Sequence, residues 1–297
     1  MRSPSCAAAR CGQCSHRIVG AVLLLAAVLV VVPVLLARAH GDDHPIRFGV
    51  FPFLPPLTLD QTFQPVVAEL SEAVGAPVVL RTKDTFLRFR NELAAGSYDL
   101  VLVHPFFYTY AAEMAGYQAL ARLDQDLITV LLAPPETGID SIEALKGRVL
   151  GLPDELAAVS VVMKIALFDH GLRAGRDVEV RHFQSKLSCL HAAAVGDVDA
   201  CGVPRFVLAQ IDLARELGLE IFYEAPPIMH FVLAVHPRLA LDDCIKIRQR
   251  VLTWASTAKG RRMLQARGWR GFVPAEDADY DGIRALEARV RQLAMRP

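Results

Sequence analysis

From residue 46 onward, apolar positions follow two alternating rhythms. Short runs at 46–51, 78–81 and 100–103 have the length and β-branched content of buried strands. Between them, Phe63, Val66, Val67, Leu70 and Val74 recur at helical spacing, with Pro65 in the first turn and Gly75 as the stop. Residues 86–95 repeat the helical rhythm, and the order strand–helix–strand–helix–strand predicts a parallel sheet with right-handed crossovers. Residues 127–132 read as a strand leaving this lobe, and 133–138 as a boundary loop.

Beyond that loop the pattern starts again. A short capped helix at 141–147 precedes a strand at 149–151, a helix at 158–170 and a strand at 178–180. A helix opening at Ser185, a strand at 198–203, a helix at 206–217 and a strand at 219–223 complete the second lobe. Residues 231–235 form a strand able to return to the first lobe, and helices at 241–255, 259–267 and 283–293 follow. The pattern describes an α/β clamshell whose two lobes are each a mainly parallel sheet flanked by helices. Lobe 1 takes 44–133 and 231–297, and lobe 2 takes 134–230.

Composition agrees, since 297 residues that are 53% hydrophobic supply ample material for two cores. The formal net charge is zero, but Arg2, Arg10, Arg17 and Arg38 lie in residues 1–39, which contain no acid. Taking those four from the 32 basic residues leaves 28 against 32 acidic ones, so the remainder has no basic footprint for nucleic acid. The arginines flank an uncharged apolar run, 18–37, that ends in Ala37-Arg38-Ala39. Residues 1–39 therefore read as a secretory signal cut after Ala39 or, since the run is long enough to cross a bilayer, as a retained membrane anchor. Either way the rest is exported. Cys6, Cys11 and Cys14 precede the run, leaving Cys189, Cys201 and Cys244, an odd number with at least one unpaired thiol. Cys189 and Cys201 are either within disulfide reach or two small buried residues.

In open parallel sheets, ligands collect at the carboxyl ends of the strands. Phe51 and Phe53 follow the first strand, Thr85 opens the helix after the second, and His104 and Tyr108 follow the third. Tyr108 can offer a hydroxyl and His104 an imidazole, while Phe106 and Phe107 suit either core packing or a cleft wall. In the second lobe, Ser185 caps a helix whose first residue, Lys186, opposes the helix dipole. A solvated surface lysine and a lysine awaiting an anion both fit that placement. Arg205, after Pro204, is a second cation or a surface arginine, and Ser160 a hydroxyl donor or a packed serine. Met229 and His230 with His104, or His40 with His44, could hold copper, although no ligand spacing supports it. Cys189 and His191 are too close on one helix to face each other, and no Ser-His-Asp order or metal motif is present. No enzyme and no cofactor are expected.

Arg47-Phe48-Gly49-Val50 with Pro52, Phe63-Gln64-Pro65-Val66, Gly96-Ser97-Tyr98-Asp99-Leu100-Val101, Pro105 with Tyr108, Leu145-Lys146-Gly147 and Gly196-Asp197-Val198-Asp199-Ala200 occur in this order. Through them the chain, from residue 46 to 267, resembles the periplasmic solute-binding proteins of the phosphate, phosphite and phosphonate uptake family. The resemblance implies a type II periplasmic-binding clamshell. Such a protein closes on a small oxyanion without catalysis and presents it to an ABC transporter permease or a membrane sensor kinase. Phosphonate-binding members carry a serine-rich helix start in the second lobe. Here that place reads Leu152-Pro153-Asp154-Glu155-Leu156-Ala157-Ala158-Val159-Ser160, whose carboxylate pair would repel a phosphonate. Many members have a histidine where Lys186 falls. One branch of the family binds arsenite for a sensor kinase, and Cys189 as a free cleft thiol would suit that soft ligand, unless it is bonded to Cys201.

Overall fold

The computed structural model describes residues 44–210 and 213–294. The readings placed on the basic leader, its apolar run, Cys6, Cys11, Cys14 and His40 lie outside these residues. Among the described residues, no helix is long and apolar enough to cross a membrane.

Strand Ile46–Val50 (β1) leads through a proline-fixed loop into helix Pro56–Val74 (α1). This helix starts well before Phe63, because Pro56 is tolerated at the first helical position and Leu59 extends the buried stripe of Phe63, Val66 and Leu70. Pro65 is therefore inside the helix rather than in its first turn, on the exposed side. Val78–Arg81 (β2), Phe86–Ala94 (α2), Leu100–Val103 (β3) and Pro105–Ala115 (α3) follow the predicted order. Gln118–Leu123 (β4) is a strand that the sequence pattern did not reveal. Asp126–Leu127 (β5) and Thr129–Ala133 (β6) come next.

In the second half, the helix expected at 141–147 shrinks to a single turn at Glu143–Leu145. Val149–Leu152 (β7), Ala158–Asp169 (α4), Glu179–His182 (β8), Lys186–Ala194 (α5) and Ala200–Pro204 (β9) then alternate. The helix expected at 206–217 is instead a 3-10 stretch, Arg205–Gln210, and a short helix, Leu213–Glu216 (α6). Glu220–Glu224 (β10), Ile228–Met229 (β11), Val232–Val235 (β12), Leu241–Thr253 (α7), Ala258–Gln265 (α8), Phe272–Pro274 (β13) and Asp281–Ala294 (α9) complete the chain.

The strands form a six-stranded sheet, β13-β4-β12-β3-β1-β2, and a five-stranded sheet, β10-β6-β9-β7-β8, within one compact unit. β1 is parallel to β2 and β3, and β7 is parallel to β8 and β9, so each half is a right-handed α/β unit. β6 corrects the expected lobe boundary. All five of its residues are buried, and it pairs with β9 and β10, so the chain changes sheets before Thr129 and not after Ala133. The outgoing and returning segments pair as β5 and β11, with Ile228 opposite Leu127. Helix α9 touches both halves: Glu287 accepts from the Thr109 hydroxyl at 2.9 Å, and Arg289 pairs with Asp169.

Beneath the first sheet, the Asp99 carboxylate accepts from the Arg47 backbone N–H at 2.8 Å, from its side-chain Nε at 2.9 Å, and from Arg238. Arg238 also donates to the Tyr98 carbonyl at 2.6 Å, tying the segment after β12 to the start of β3. The Tyr98 ring fills the space under Gly49, where a Cβ would come within 2.7 Å of it. Burial alone would raise the Asp99 pKa, but the hydrogen bonds from Arg47 and Arg238 outweigh it and hold it down to about 2. A depressed carboxylate contributes stability that is present above its unfolded pKa and is lost as pH falls through the folded value. We expect Asp99→Asn to lose about 2 kcal/mol at pH 7, with the difference from the parent disappearing between pH 4 and 2, measured by urea unfolding across that range.

Candidate functional site

The carboxyl ends of the parallel strands of both sheets border one cavity of about 60 Å³. From the first sheet come Phe51, Pro52 and Phe53 after β1, Phe86 opening α2, His104 after β3, and Phe231 before β12. The second sheet supplies Pro153 and Asp154 after β7, Gln184 and Lys186 after β8, and Pro204 and Phe206 after β9. Ala157, Ala158 and Val159, at the start of α4, close the same side. The wall is mostly aromatic: Phe51 stacks on Phe53 at 4.8 Å between centroids, and Phe231 packs against both at 5.0 and 5.2 Å.

Into this apolar setting the chain places hydrogen-bond donors whose capacity is not filled. His104 is buried and caps α3, its Nδ1 accepting from the Phe107 N–H at 3.3 Å. An imidazole that accepts at Nδ1 carries its proton on Nε2; this Nε2 is buried with no acceptor at full hydrogen-bond distance, and the Leu156 backbone is the polar group that acts on the ring. Burial pushes the imidazole pKa down to about 3, with the Leu156 backbone opposing, so the ring is a neutral donor at physiological pH.

Lys186 Nζ reaches across from the second lobe to the Phe53 carbonyl at 2.9 Å and lies 5.6 Å from the centroid of the Phe53 ring. Among the described residues it has no carboxylate within 4.0 Å. Burial lowers its pKa to about 8.

Helix α4 adds open amides. Its Ala157 cap has no side-chain hydrogen bond, and the Val161 N–H is the first to find a helical carbonyl, that of Ala157 at 3.1 Å. The N–H groups of Ala158, Val159 and Ser160 are thus free of the helix ladder at its positive end. By contrast, α5 is capped by Ser185, whose hydroxyl accepts from the Ser188 N–H at 3.0 Å. The nearby Pro153 carbonyl is already engaged, accepting from Ser160 Oγ at 3.1 Å and meeting His182 Nδ1 at 2.5 Å.

Of the residues singled out in the sequence, Phe51, Phe53, His104 and Lys186 line the cavity. The other six are placed elsewhere. Thr85 is exposed and caps α2, accepting from the Arg88 N–H at 3.2 Å. Tyr108 is fully buried, donates to Asp277 at 2.7 Å and accepts from the Ala119 N–H at 3.1 Å, which commits its hydroxyl to the first-lobe core. The Ser160 hydroxyl is spent on Pro153. Cys189 and Cys201 form a disulfide inside the second lobe, which removes the free thiol that the arsenite reading required. Arg205 pairs with Glu224 on the surface. His230 lies behind the wall, against Phe206 at 5.4 Å, with its Nδ1 accepting from the Phe231 N–H at 2.8 Å. Phe107 backs His104 at 4.2 Å instead of facing the cavity. Only half of the expected carboxylate pair reaches the wall: Asp154 does, its Oδ1 accepting from the Leu156 N–H at 2.9 Å, while Glu155 is exposed.

Sequence reasoning missed Gln184, Phe206 and Phe231, and expected backbone amides at converging helix starts without singling out those of α4. The strand-end rule that found His104 would have found Gln184 and Phe206 too, had β8 and β9 been extended to His182 and Pro204. Among the described residues, no group of three or more His, Cys, Asp or Glu side chains is placed to share a metal ion.

The comparisons agree with this architecture. No curated protein sequence matches the chain significantly. A phosphonate ABC transporter binding protein of Pseudomonas aeruginosa superposes with a TM-score of 0.73 at 18% identity, covering 83% of this chain and 86% of that one. PhnD1 of Prochlorococcus marinus, in complex with methylphosphonate, gives 0.75 at 16% identity over 84% and 99% of the two chains. A Xanthomonas citri protein bound to ATP gives 0.71 at 14% identity over 84% and 98%. At such identities these likenesses establish the fold, that of the two-lobed type II periplasmic binding proteins. The family itself is established by a sequence model described as "ABC transporter, phosphonate, periplasmic substrate-binding protein", which matches residues 48–280. The chain belongs to the family of periplasmic substrate-binding proteins of phosphonate ABC transporters.

Proposed function

We propose that the cavity receives the head group of a phosphorus oxyanion, a phosphonate or a closely related phosphate or phosphite, and that the loaded protein delivers it to an ABC transporter permease. The observation that carries this reading is the set of incompletely matched donors around one small cavity: the buried His104 Nε2–H, the Lys186 ammonium, of which the Phe53 carbonyl takes only one hydrogen, and the open amides of α4. Buried donors without acceptors are costly, and an oxyanion satisfies several at once. The engaged Pro153 carbonyl does not compete for them.

Binding would proceed without bond cleavage, as lobe motion about the paired β5 and β11 segments encloses the solute. The apolar run at 18–37 would direct export, and the Cys189–Cys201 disulfide suits an oxidising compartment.

Methylphosphonate, phosphite or phosphate at about a hundred times its dissociation constant should stabilise the protein by roughly 2.7 kcal/mol in a thermal-shift experiment. If none of the three shifts the transition, the reading is wrong. Affinity should fall as pH rises from 7 to 9, because Lys186 loses its charge near pH 8 while His104 stays neutral throughout. Calorimetry at both pH values should show this, and Lys186→Met should bind roughly tenfold or more weakly at pH 7 with the pH dependence gone.

The same variant should be the more stable ligand-free protein. A lysine whose folded pKa lies below its unfolded value of 10.5 destabilises the fold while charged, and sheds that cost as pH rises from 8 to 10.5. Lys186→Met should therefore gain about 3 kcal/mol over the parent at pH 7 and nothing above pH 10.5, read by urea unfolding.

A further inference from the structure

A second space opens directly outside the small cavity. It measures about 440 Å³, against about 60 Å³ inside, and the two share Phe53, Gln184, Lys186, Phe206 and Phe231 as common walls. A water needs about 10–15 Å³ of such space, so the inner cavity takes a few waters or one small head group and nothing larger. Any substituent on that head must pass Lys186 and Phe206 into the outer groove.

The groove is largely apolar, with Leu54 and Pro55 from the first lobe, Leu187 and Val207 from the second, and Trp269, and Thr58, Thr62, Gln184 and Ser185 add polar edges. Arg267 also lines it, 9% exposed, with its guanidinium 5.9 Å from the centroid of the Trp269 ring and 5.8 Å from that of Phe63. Arg267 Nη1 donates to the Met263 carbonyl, yet its Nε has no partner, and among the described residues no carboxylate lies within 4.0 Å of it. Burial lowers its pKa to about 10, which still leaves it charged. A buried cation without a counter-ion and the half-buried Lys186 ammonium, both on the walls of one largely apolar groove, match an elongated solute better than a bare ion.

We infer that the physiological ligand is an organic oxyanion, a phosphonate or phosphate ester, whose apolar or aromatic substituent lies in the outer groove and ends in an acceptor group beside Arg267. This rests on the oxyanion reading of the inner cavity and narrows it from the head group to the whole molecule. A bare phosphate or methylphosphonate would fill the inner cavity and leave the groove wet.

Calorimetry with methylphosphonate, phenylphosphonate and 4-carboxyphenylphosphonate on the protein from residue 40 onward tests the inference. Phenylphosphonate should bind about tenfold or more tightly than methylphosphonate, because its ring leaves water for the groove. The carboxylated compound should bind more tightly again, and Arg267→Met should erase that second gain alone. Arg267 packs among aromatic rings, so a second variant guards against misfolding. Thr58 is exposed on α1 and lines the groove, and Thr58→Trp should fill it, weakening both aromatic ligands about tenfold while leaving methylphosphonate unchanged. Equal affinities for all three ligands, with Thr58→Trp altering none, would overturn the inference and leave the oxyanion reading standing. Failure of every ligand to bind would overturn both.

Discussion

The hydrogen bond from Lys186 to the Phe53 carbonyl joins the first turn of a second-lobe helix to a first-lobe loop, across the space where a solute would sit. It is a poor bond for stability, because the ammonium loses most of its water and receives one carbonyl in return. It persists because each end is fixed from behind. Phe53 is stacked against Phe51 and Phe231, and the start of α5 is set by the Ser185 cap and by the disulfide one turn further along. Gly151 belongs to the same arrangement, since a Cβ there would come within 2.9 Å of the Cys189 sulfur and push α5 off β7.

The aromatic wall sets the strength of every polar interaction within it. In a low-dielectric pocket a donor is worth more to an anion than the same donor in water, and an unmatched donor costs correspondingly more. Desolvation acts on the two basic groups in different degree. It leaves His104 neutral and therefore usable as an Nε2–H donor at any physiological pH, while Lys186 keeps its charge up to about pH 8. Asp154 on the same wall limits the net positive potential, so the proposed oxyanion would be recognised by the geometry of the donors more than by bulk charge.

Much of this was legible in the sequence, for physical reasons that differ by element. The parallel β-α-β units could be read because buried strands and amphipathic helices have distinct periods, and the strand-end rule then pointed to Phe51, Phe53, His104 and Lys186. β4 and β13 were missed because they are short or mixed in exposure and pair antiparallel with partners far away in the chain, outside the β-α-β rhythm. Tyr108 was misassigned because a strand-end tyrosine can turn either way, and only its long-range bond to Asp277 decides which. Arg267 was invisible for the same reason: its neighbours Phe63 and Trp269 come from opposite ends of the chain.

The helix start that departs most from the resembled family is also where the chemistry of binding shifts. With Ala157, Ala158 and Val159 in place of hydroxyl side chains, α4 keeps its amides and its dipole but loses the side-chain donors that would wrap an oxyanion. Ser160 does not restore them, because its hydroxyl is bonded to Pro153. The missing donors leave one charge on a long side chain, Lys186, and aromatic surface at the cavity. A lysine imposes less directional preference on its acceptor than a ring of hydroxyls and amides does. On the proposed oxyanion reading, that exchange would weaken discrimination between one head group and another and shift it toward what the head group carries. The five residues shared by the inner cavity and the outer groove are where both demands meet.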